Sequence, residues 1–275
     1  MEPLFIDSLK GQIFAVYHTA KTPGTPKGQI LFIPPFAEEL NRSRHMIARQ
    51  ARCFADQGYG VLILDLYGTG DSHGTFGDAT LDIWRADILA ASDWLARKSD
   101  APCSLWAMRT GALLAADALQ HTPDLARNLL LWSPVTNGKR FISQYMRIKL
   151  AAEMTGNTTT PSLTMKDLWA QLDQGKNLEI AGYDISPALA NSLNDLTLAD
   201  VPLAEDTTVL WVENALTTPA EMSPGSRKII DQWQTKNAKV VTAVVNDVSF
   251  WTLQEPEWAE EYIEQTTMLA QQNLV

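Results

Sequence analysis

The stretch Cys103-Ser-Leu-Trp-Ala-Met-Arg-Thr-Gly-Ala112 leads an apolar run into a turn, with small residues, Ala107 and Gly111, two positions either side of Arg109. This is the spacing of a strand-to-helix elbow of the Gly-x-Ser-x-Gly type, whose tight bend exposes the central side chain for nucleophilic attack. Here the central residue is arginine. Moving the apex to Thr110 would put Met108 and Ala112 at the crowded positions, and Met108 is too bulky to pack there. A guanidinium stays protonated at neutral pH, so Arg109 cannot be a nucleophile.

The groups that would assist a serine at this bend are missing too. An acid and then a histidine should follow the nucleophile along the chain, each in a loop after a later strand. In Glu213-Asn-Ala-Leu-Thr-Thr218 the usual acid position falls on Ala215 or Leu216, and Glu213 and Asn214 stand too early. The alternative acid site, Ser133-Pro-Val-Thr136, has no carboxylate. The loop due to carry the histidine reads Asn246-Asp-Val-Ser-Phe-Trp251, and all four histidines, His18, His45, His73 and His121, lie in the first half of the chain.

What Arg109 can do is bind. A planar fork of donors at the apex, next to Thr110 and the backbone N–H groups of the elbow, suits a carboxylate, a phosphate or an acidic sugar. The other reading is an internal ion pair with Glu38 or Glu39, expected in the loop after the third strand; an unforeseen catalytic role completes the alternatives. A buried guanidinium without a partner is too costly to persist. Asn41, Arg42 and Arg44 either help to hold an anion at the rim or form a polar helix start. Phe250 and Trp251 either wall a sugar ring or pack the core, and Asp247 is the nearest carboxylate to the vacated base. The candidate ligand-binding set is therefore Glu38, Glu39, Arg42, Arg109, Thr110, Asp247 and Trp251, with no metal ligands and no cofactor.

Elements able to position these residues alternate along the chain. Short strands are predicted at 4–7 and 12–17, then buried strands at 29–35, 61–66, 104–108, 128–132, 207–213 and 239–245. Helices fall at 46–57, 81–97, 111–120, 226–234 and 255–272, with Ser223-Pro224 and Glu255-Pro256 as helix starts. The acidic residues Glu255, Glu257, Glu260, Glu261 and Glu264 give the last helix a solvated face. Between 138 and 206 the alternation gives way to helical pieces at 141–154 and 165–172, separated by a loop at 155–162. The expected organisation is a core of 1–137 and 207–275, with 138–206 as a helical cap insertion. Right-handed crossovers bring the loops after Pro35, Leu66, Met108, Trp132, Glu213 and Asp247 to one rim of the sheet, where open α/β sheets bind ligands.

The 275 residues are 45% hydrophobic and 20% charged, which fits one large or two small globular domains and excludes a disordered or fibrous chain. The net charge of −10 argues against nucleic acid or an anionic membrane as the main partner. A small-molecule ligand fits better, and a homo-oligomer is left open. Cys53 and Cys103 have no metal-ligand or redox spacing and are expected to be buried free thiols. With no signal-peptide pattern and no apolar run of ~18 residues, the expected setting is the cytoplasm.

Asp65-Leu-Tyr-Gly68-Thr-Gly70-Asp-Ser72, together with the elbow and the strand order, resembles the α/β-hydrolase superfamily across nearly the whole chain. In that resemblance Asp65 ties down a glycine turn and Ser72 is a turn residue. The implied fold is a mostly parallel eight-stranded sheet flanked by helices, with a helical cap insertion. A narrower match lies in Pro34-Pro-Phe-Ala-Glu-Glu-Leu-Asn-Arg-Ser-Arg-His-Met46, Leu105-Trp-Ala-Met-Arg-Thr-Gly-Ala-Leu-Leu114 and Leu178-Glu-Ile-Ala-Gly-Tyr-Asp-Ile-Ser-Pro-Ala-Leu189. These segments are similar to the exosortase A system-associated hydrolase 2 family. The resemblance implies a Gram-negative bacterium that exports proteins with a sorting tail and makes an exopolysaccharide, and it makes an elbow arginine a family trait. Two functions follow as expectations: a pseudo-enzyme that binds a small acidic or sugar-like ligand, or a hydrolase or acyltransferase with an unconventional catalytic group.

Overall fold

Side chains that alternate between two apolar faces are what build the centre of this molecule. In β3 (Gly28–Ile33), Ile30 and Phe32 join one buried cluster while Leu31 and Ile33 join another. In β5 (Cys103–Met108), Trp106 and Met108 divide in the same way from Leu105 and Ala107. A strand that is apolar on both sides must be covered on both sides, so these strands lie mid-sheet between helices. A computed structural model describes residues 1–155, 163–204, 206–215 and 217–274.

The remaining strands of the main sheet are β1 (Glu2–Ser8), β2 (Gly11–His18), β4 (Tyr59–Leu64), β6 (Asn128–Trp132), β9 (Thr208–Asn214) and β10 (Lys239–Val245). The eight lie in the order β1-β2-β4-β3-β5-β6-β9-β10. β1 and β2 pair antiparallel, β2 runs antiparallel to β4, and every other neighbour is parallel. The expected eight-stranded, mostly parallel sheet is thus the one that forms. One face is covered by α1 (Glu38–Asp56) and α8 (Glu260–Asn273), whose apolar residues meet Trp106, Trp132 and Phe250. The other is covered by α2 (Leu81–Lys98), α3 (Gly111–His121) and α7 (Pro224–Thr235). Between β6 and β9 come α4 (Gly138–Thr155), α5 (Met165–Asp173), a hairpin of β7 (Leu178–Ile180) and β8 (Tyr183–Ile185), and α6 (Pro187–Asp195).

Several boundaries depart from the sequence reading. α1 begins at Glu38, eight residues before the predicted start, so Glu38 and Glu39 form its first turn rather than a loop. Residues 38–45 give little core periodicity because this turn faces the rim; carboxylates are favoured there by the helix dipole. The last helix starts at Glu260, not near Pro256. The strap before it is held extended across α1, where His45 Nε2 lies 2.8 Å from the Glu257 carbonyl and the His45 and Trp258 rings meet at 5.0 Å. Its predicted solvated acidic face is partly engaged: Glu260 pairs with Arg49, and Glu261 accepts from Asn246 N–H at 3.2 Å. The β7–β8 hairpin went unpredicted because three-residue strands leave no usable period. The predicted loop at 155–162 lies outside the described residues from 156 onward. Cys53 and Cys103 are free but only half-buried.

The Asp65 turn does what the resemblance implied. Asp65 is buried, pairs with Arg44 at 3.0 Å and accepts from Asp71 N–H at 3.3 Å. Ser72 Oγ donates to the Asp65 carbonyl at 2.6 Å and accepts from Phe14 N–H at 2.8 Å, so it is a turn residue. Gly70 has φ +50°, and a Cβ there would fall 1.8 Å from Asp65 Oδ2, so no larger residue fits.

His18 closes β2 with 5% exposure, and burial, helped by the N-terminal ammonium, Arg52 and Lys21, lowers its pKa from 6.5 to about 4. Its folded pKa lies below its unfolded value, so the unfolded chain binds the extra proton and stability is lost as pH falls through that window. His18→Leu should remove this loss. In urea unfolding, the variant is expected to gain up to about 3 kcal/mol on the parent between neutral pH and pH 4. A difference that does not change with pH would show that His18 does not titrate this way.

Candidate functional site

β3 and β5 are neighbours in the sheet, yet the chain leaves β3 for β4 on one side and returns to β5 on the other. The loops after two such strands separate and leave a crevice at their carboxyl ends. Arg109 follows β5 directly, and Glu39 lies six residues beyond β3.

Arg109 is the apex of the elbow. Its φ is +54°, a left-handed conformation costing a non-glycine residue roughly 1–2 kcal/mol, whereas Thr110 is right-handed at −63°. The bend is pinned by Arg109 N–H donating to Trp132 O at 2.9 Å and Val135 N–H donating to Arg109 O at 3.0 Å. Gly111 is obligatory, since a Cβ there would sit 2.3 Å from the Ile33 carbonyl oxygen. Ala107 is fully buried on the other side. The apex therefore belongs to Arg109, as the small-residue spacing indicated.

The guanidinium is held on three sides. Nε donates to Glu39 Oε1 at 3.2 Å, Nη1 donates to the Ser133 carbonyl at 3.0 Å, and Cζ lies 5.2 Å from the centre of the Trp251 ring. Arg109 and Glu39 keep 25% and 22% of their side-chain exposure, so the pair is shielded but open on one side. Burial pushes the Glu39 carboxyl up, and the Arg109 guanidinium pulls against it. Glu39 Oε2 is buried and has no hydrogen-bond partner among the described residues. Glu38 is engaged elsewhere, accepting from Tyr183 Oη at 2.9 Å and Asn41 Nδ2 at 3.1 Å.

These groups line a cavity of about 550 Å³. Phe36, Phe141, Tyr145, Ile148 and Trp251 make it largely apolar, and Glu38, Glu39, Arg42, Arg109 and Gln144 supply its polar points. A second cavity of similar volume lies on the far side of Arg109 and Trp251, bounded by Ser133, Thr136, Arg140, Asn214 and the start of α7. The structure thus brings together Glu38, Glu39, Arg42, Arg109 and Trp251.

It does not bring in Thr110 or Asp247. Thr110 is buried under the elbow, and its hydroxyl has no partner among the described residues. Asp247 lines neither cavity: Oδ1 accepts from Val248 N–H at 2.7 Å and Oδ2 from Glu261 N–H at 3.0 Å. Its carboxylate fixes the start of α8, a role invisible without the fold, and this corrects its candidacy as a ligand-binding group. Glu213 is committed as well, accepting from Trp211 Nε1 at 3.0 Å and Ser223 N–H at 2.8 Å. Asn214 ties the loop after β9 to the loop after β10 through Asp247 O, Asp247 N–H and Ser249 Oγ. Ala215 is buried, and Leu216 lies outside the described residues. No histidine lines either cavity among the described residues. The loop after Leu66 is also absent from both linings, being turned towards β2 by Ser72. Sequence reasoning missed Phe141, Gln144, Tyr145 and Ile148, which recur at helical spacing on α4.

Among the described residues, the N–H groups of Phe36 and Thr110 have no acceptor. Those are the positions from which an enzyme of this fold addresses an oxyanion.

The sheet order, the elbow and the loops at its carboxyl edge define an α/β-hydrolase fold. The chain matches the Hydrolase_4 family, described as serine aminopeptidase, S33, over residues 24–273, and it belongs to that family. Est1E from Butyrivibrio proteoclasticus, solved with ferulic acid bound, is 20% identical with a TM-score of 0.66, covering 98% of this chain and 97% of that one. A thermostable carboxyl esterase from Bacillus coagulans is 13% identical with a TM-score of 0.62, covering 100% and 99%. At such identities the likeness is one of fold. A curated relative, the uncharacterized protein RP471 of Rickettsia prowazekii (strain Madrid E), is 26% identical over 137 residues. That match takes in 49% of this chain and 56% of the relative.

Removing the guanidinium would leave the Glu39 carboxylate shielded and unpaired. Its folded pKa would then lie further above the unfolded value, so stability would fall as pH rises above 4.5 through the folded pKa. Arg109→Met is expected to cost about 1–3 kcal/mol more at pH 8 than at pH 5 in urea unfolding, discounted from a fully buried pair for the exposure that remains. Combining it with Glu39→Gln should abolish the pH dependence. A single variant with no such dependence would show that the pair carries no electrostatic load.

Proposed function

We propose that the protein is a non-hydrolytic member of its family that binds a small acidic or sugar-like ligand at the crevice between β3 and β5. The observation that carries this reading is the guanidinium at the elbow apex, fastened by Glu39 and Ser133, in a site without an imidazole among the described residues. An arginine so placed can bind and orient an anion but cannot form an acyl-enzyme. The apolar wall of Phe36, Phe141 and Trp251 with a few convergent polar groups is the usual make-up of a small-molecule site. In this proposal residues 138–206 serve as a cap, contributing Phe141 and Tyr145 to the cavity. On the resemblance of its three segments, the protein works in the cytoplasm of a Gram-negative bacterium beside an exosortase-linked exopolysaccharide system.

A second reading, true hydrolysis or acyl transfer by an unconventional group, is favoured by Glu39. Its carboxyl is pushed up in pKa, its Oε2 is unpartnered among the described residues, and the free N–H groups of Phe36 and Thr110 lie on the flanking loops. A carboxyl of that kind could activate water beside an oxyanion site.

An assay of short-chain p-nitrophenyl esters separates the two. The binding reading expects no turnover above buffer for the parent protein, and none for Arg109→Ser, which restores a hydroxyl without its base. Turnover abolished by Glu39→Gln, with a pH–rate profile rising through the carboxyl pKa, would establish the second reading and overturn the first.

A further inference from the structure

α4 shows the outside of the cavity an unexpected charge. Lys139, Arg140 and Arg147 are exposed on the helix, Arg140 and Arg147 on one face at i, i+7 and Lys139 beside them, and no ion pair engages them among the described residues. With Asn137, Ser143 and Gln144 they border a depression of about 570 Å³ that contains no acidic side chain. The chain as a whole carries a net charge of −10, so this is a local reversal of sign.

The depression borders the site already described through shared side chains. Gln144 lines both it and the Arg109 cavity, and Arg140 lines both it and the second cavity. Arg109 and Trp251 separate those two cavities and belong to both. A ligand long enough to reach from Arg109 past Gln144 meets these three cations.

The cavity asks for a different chemistry from these cations. Its wall of Phe36, Phe141, Tyr145 and Trp251 suits the apolar face of a ring, which a polyphosphate or a chain of simple carboxylates lacks. A sugar supplies an amphipathic ring face to Phe141, Tyr145 and Trp251, and hydroxyls to the polar points of the cavity. Resting on the proposed ligand-binding function, we propose that the ligand is an acidic oligosaccharide: one sugar unit occupies the Arg109 cavity, and the carboxylates of the following units lie along Lys139, Arg140 and Arg147. The three cations confer selectivity for chain length and charge, and Arg109 and Glu39 hold the terminal ring.

Calorimetric titration with galacturonic acid, tetragalacturonate, neutral maltotetraose and inorganic polyphosphate tests this. Tetragalacturonate is expected to bind at least about tenfold more tightly than the monomer, and to lose that advantage at high salt. The K139A/R140A/R147A variant should bind tetramer and monomer alike, with the monomer affinity of the parent. The single variant Arg140→Glu, with an unchanged melting temperature, should weaken tetramer binding in the same direction. Equal affinity for monomer and tetramer, equal binding of maltotetraose, preference for polyphosphate, or a triple variant that behaves as the parent would overturn the inference. Monomer binding lost in Arg109→Ala, without a gain from chain length, would leave the binding function standing and this extension of it refuted. No binding of any probe would remove both.

Discussion

The ion pair between Arg109 and Glu39 spans the point where the sheet reverses its order, and much of the local structure follows from it. The apex of the elbow is strained by its positive φ, and an arginine there brings a charge into a shielded crevice. Both costs are met from the adjacent strand, because β3 and β5 pair side by side and the helix after β3 begins early enough to bring Glu39 alongside. The Ser133 carbonyl and the Trp251 ring take up the remaining faces of the guanidinium. Each belongs to a loop that in an active relative would serve catalysis. The arginine at the apex is thus embedded in its surroundings.

The same embedding extends to the loops after β9 and β10. Asn214 and Asp247 bind each other's loops through three hydrogen bonds involving Asn214, and Asp247 also fixes the start of α8. Trp251, in the loop that would carry the histidine, packs against Phe250 and Tyr262. Tyr262 Oη in turn donates to the Val212 carbonyl at 2.8 Å. A histidine in place of Phe250 or Trp251 would have to displace part of an aromatic cluster with Tyr262. Installing a serine-type triad at these positions would mean rebuilding two loops and a helix start.

How far the sequence revealed the site depended on whether a residue's role was local. The apex was legible because small residues two positions either side are a steric demand of the bend itself. The Asp65 turn and the Ser223-Pro224 helix start, where Ser223 Oγ accepts from Ser226 N–H at 3.2 Å, were legible for the same reason. Glu39 was identified as a partner for Arg109 but assigned to a loop, because a helix turn that faces a cavity carries no core period. Asp247 read as a ligand-binding candidate because its commitments, to Val248 N–H and to Glu261 fourteen residues away, show only in the fold. The α4 contribution was hidden because Phe141 and Tyr145 look like ordinary core positions, and only the path of the chain after β6 turns them to the cavity.

Charge distribution joins these points. A strongly acidic protein gains no affinity for an anion from its overall field, so any recognition of negative charge must come from short-range groups placed deliberately. Among the described residues bordering the two cavities and the α4 depression, arginines stand at each junction: Arg42 and Arg109 inside, Arg140 where two cavities meet, Arg147 beyond. Guanidinium groups are suited to this work, since they remain charged at any physiological pH and present donors in a plane that matches a carboxylate. The crevice at the carboxyl ends of β3 and β5 is thus lined with groups that can hold a negative charge.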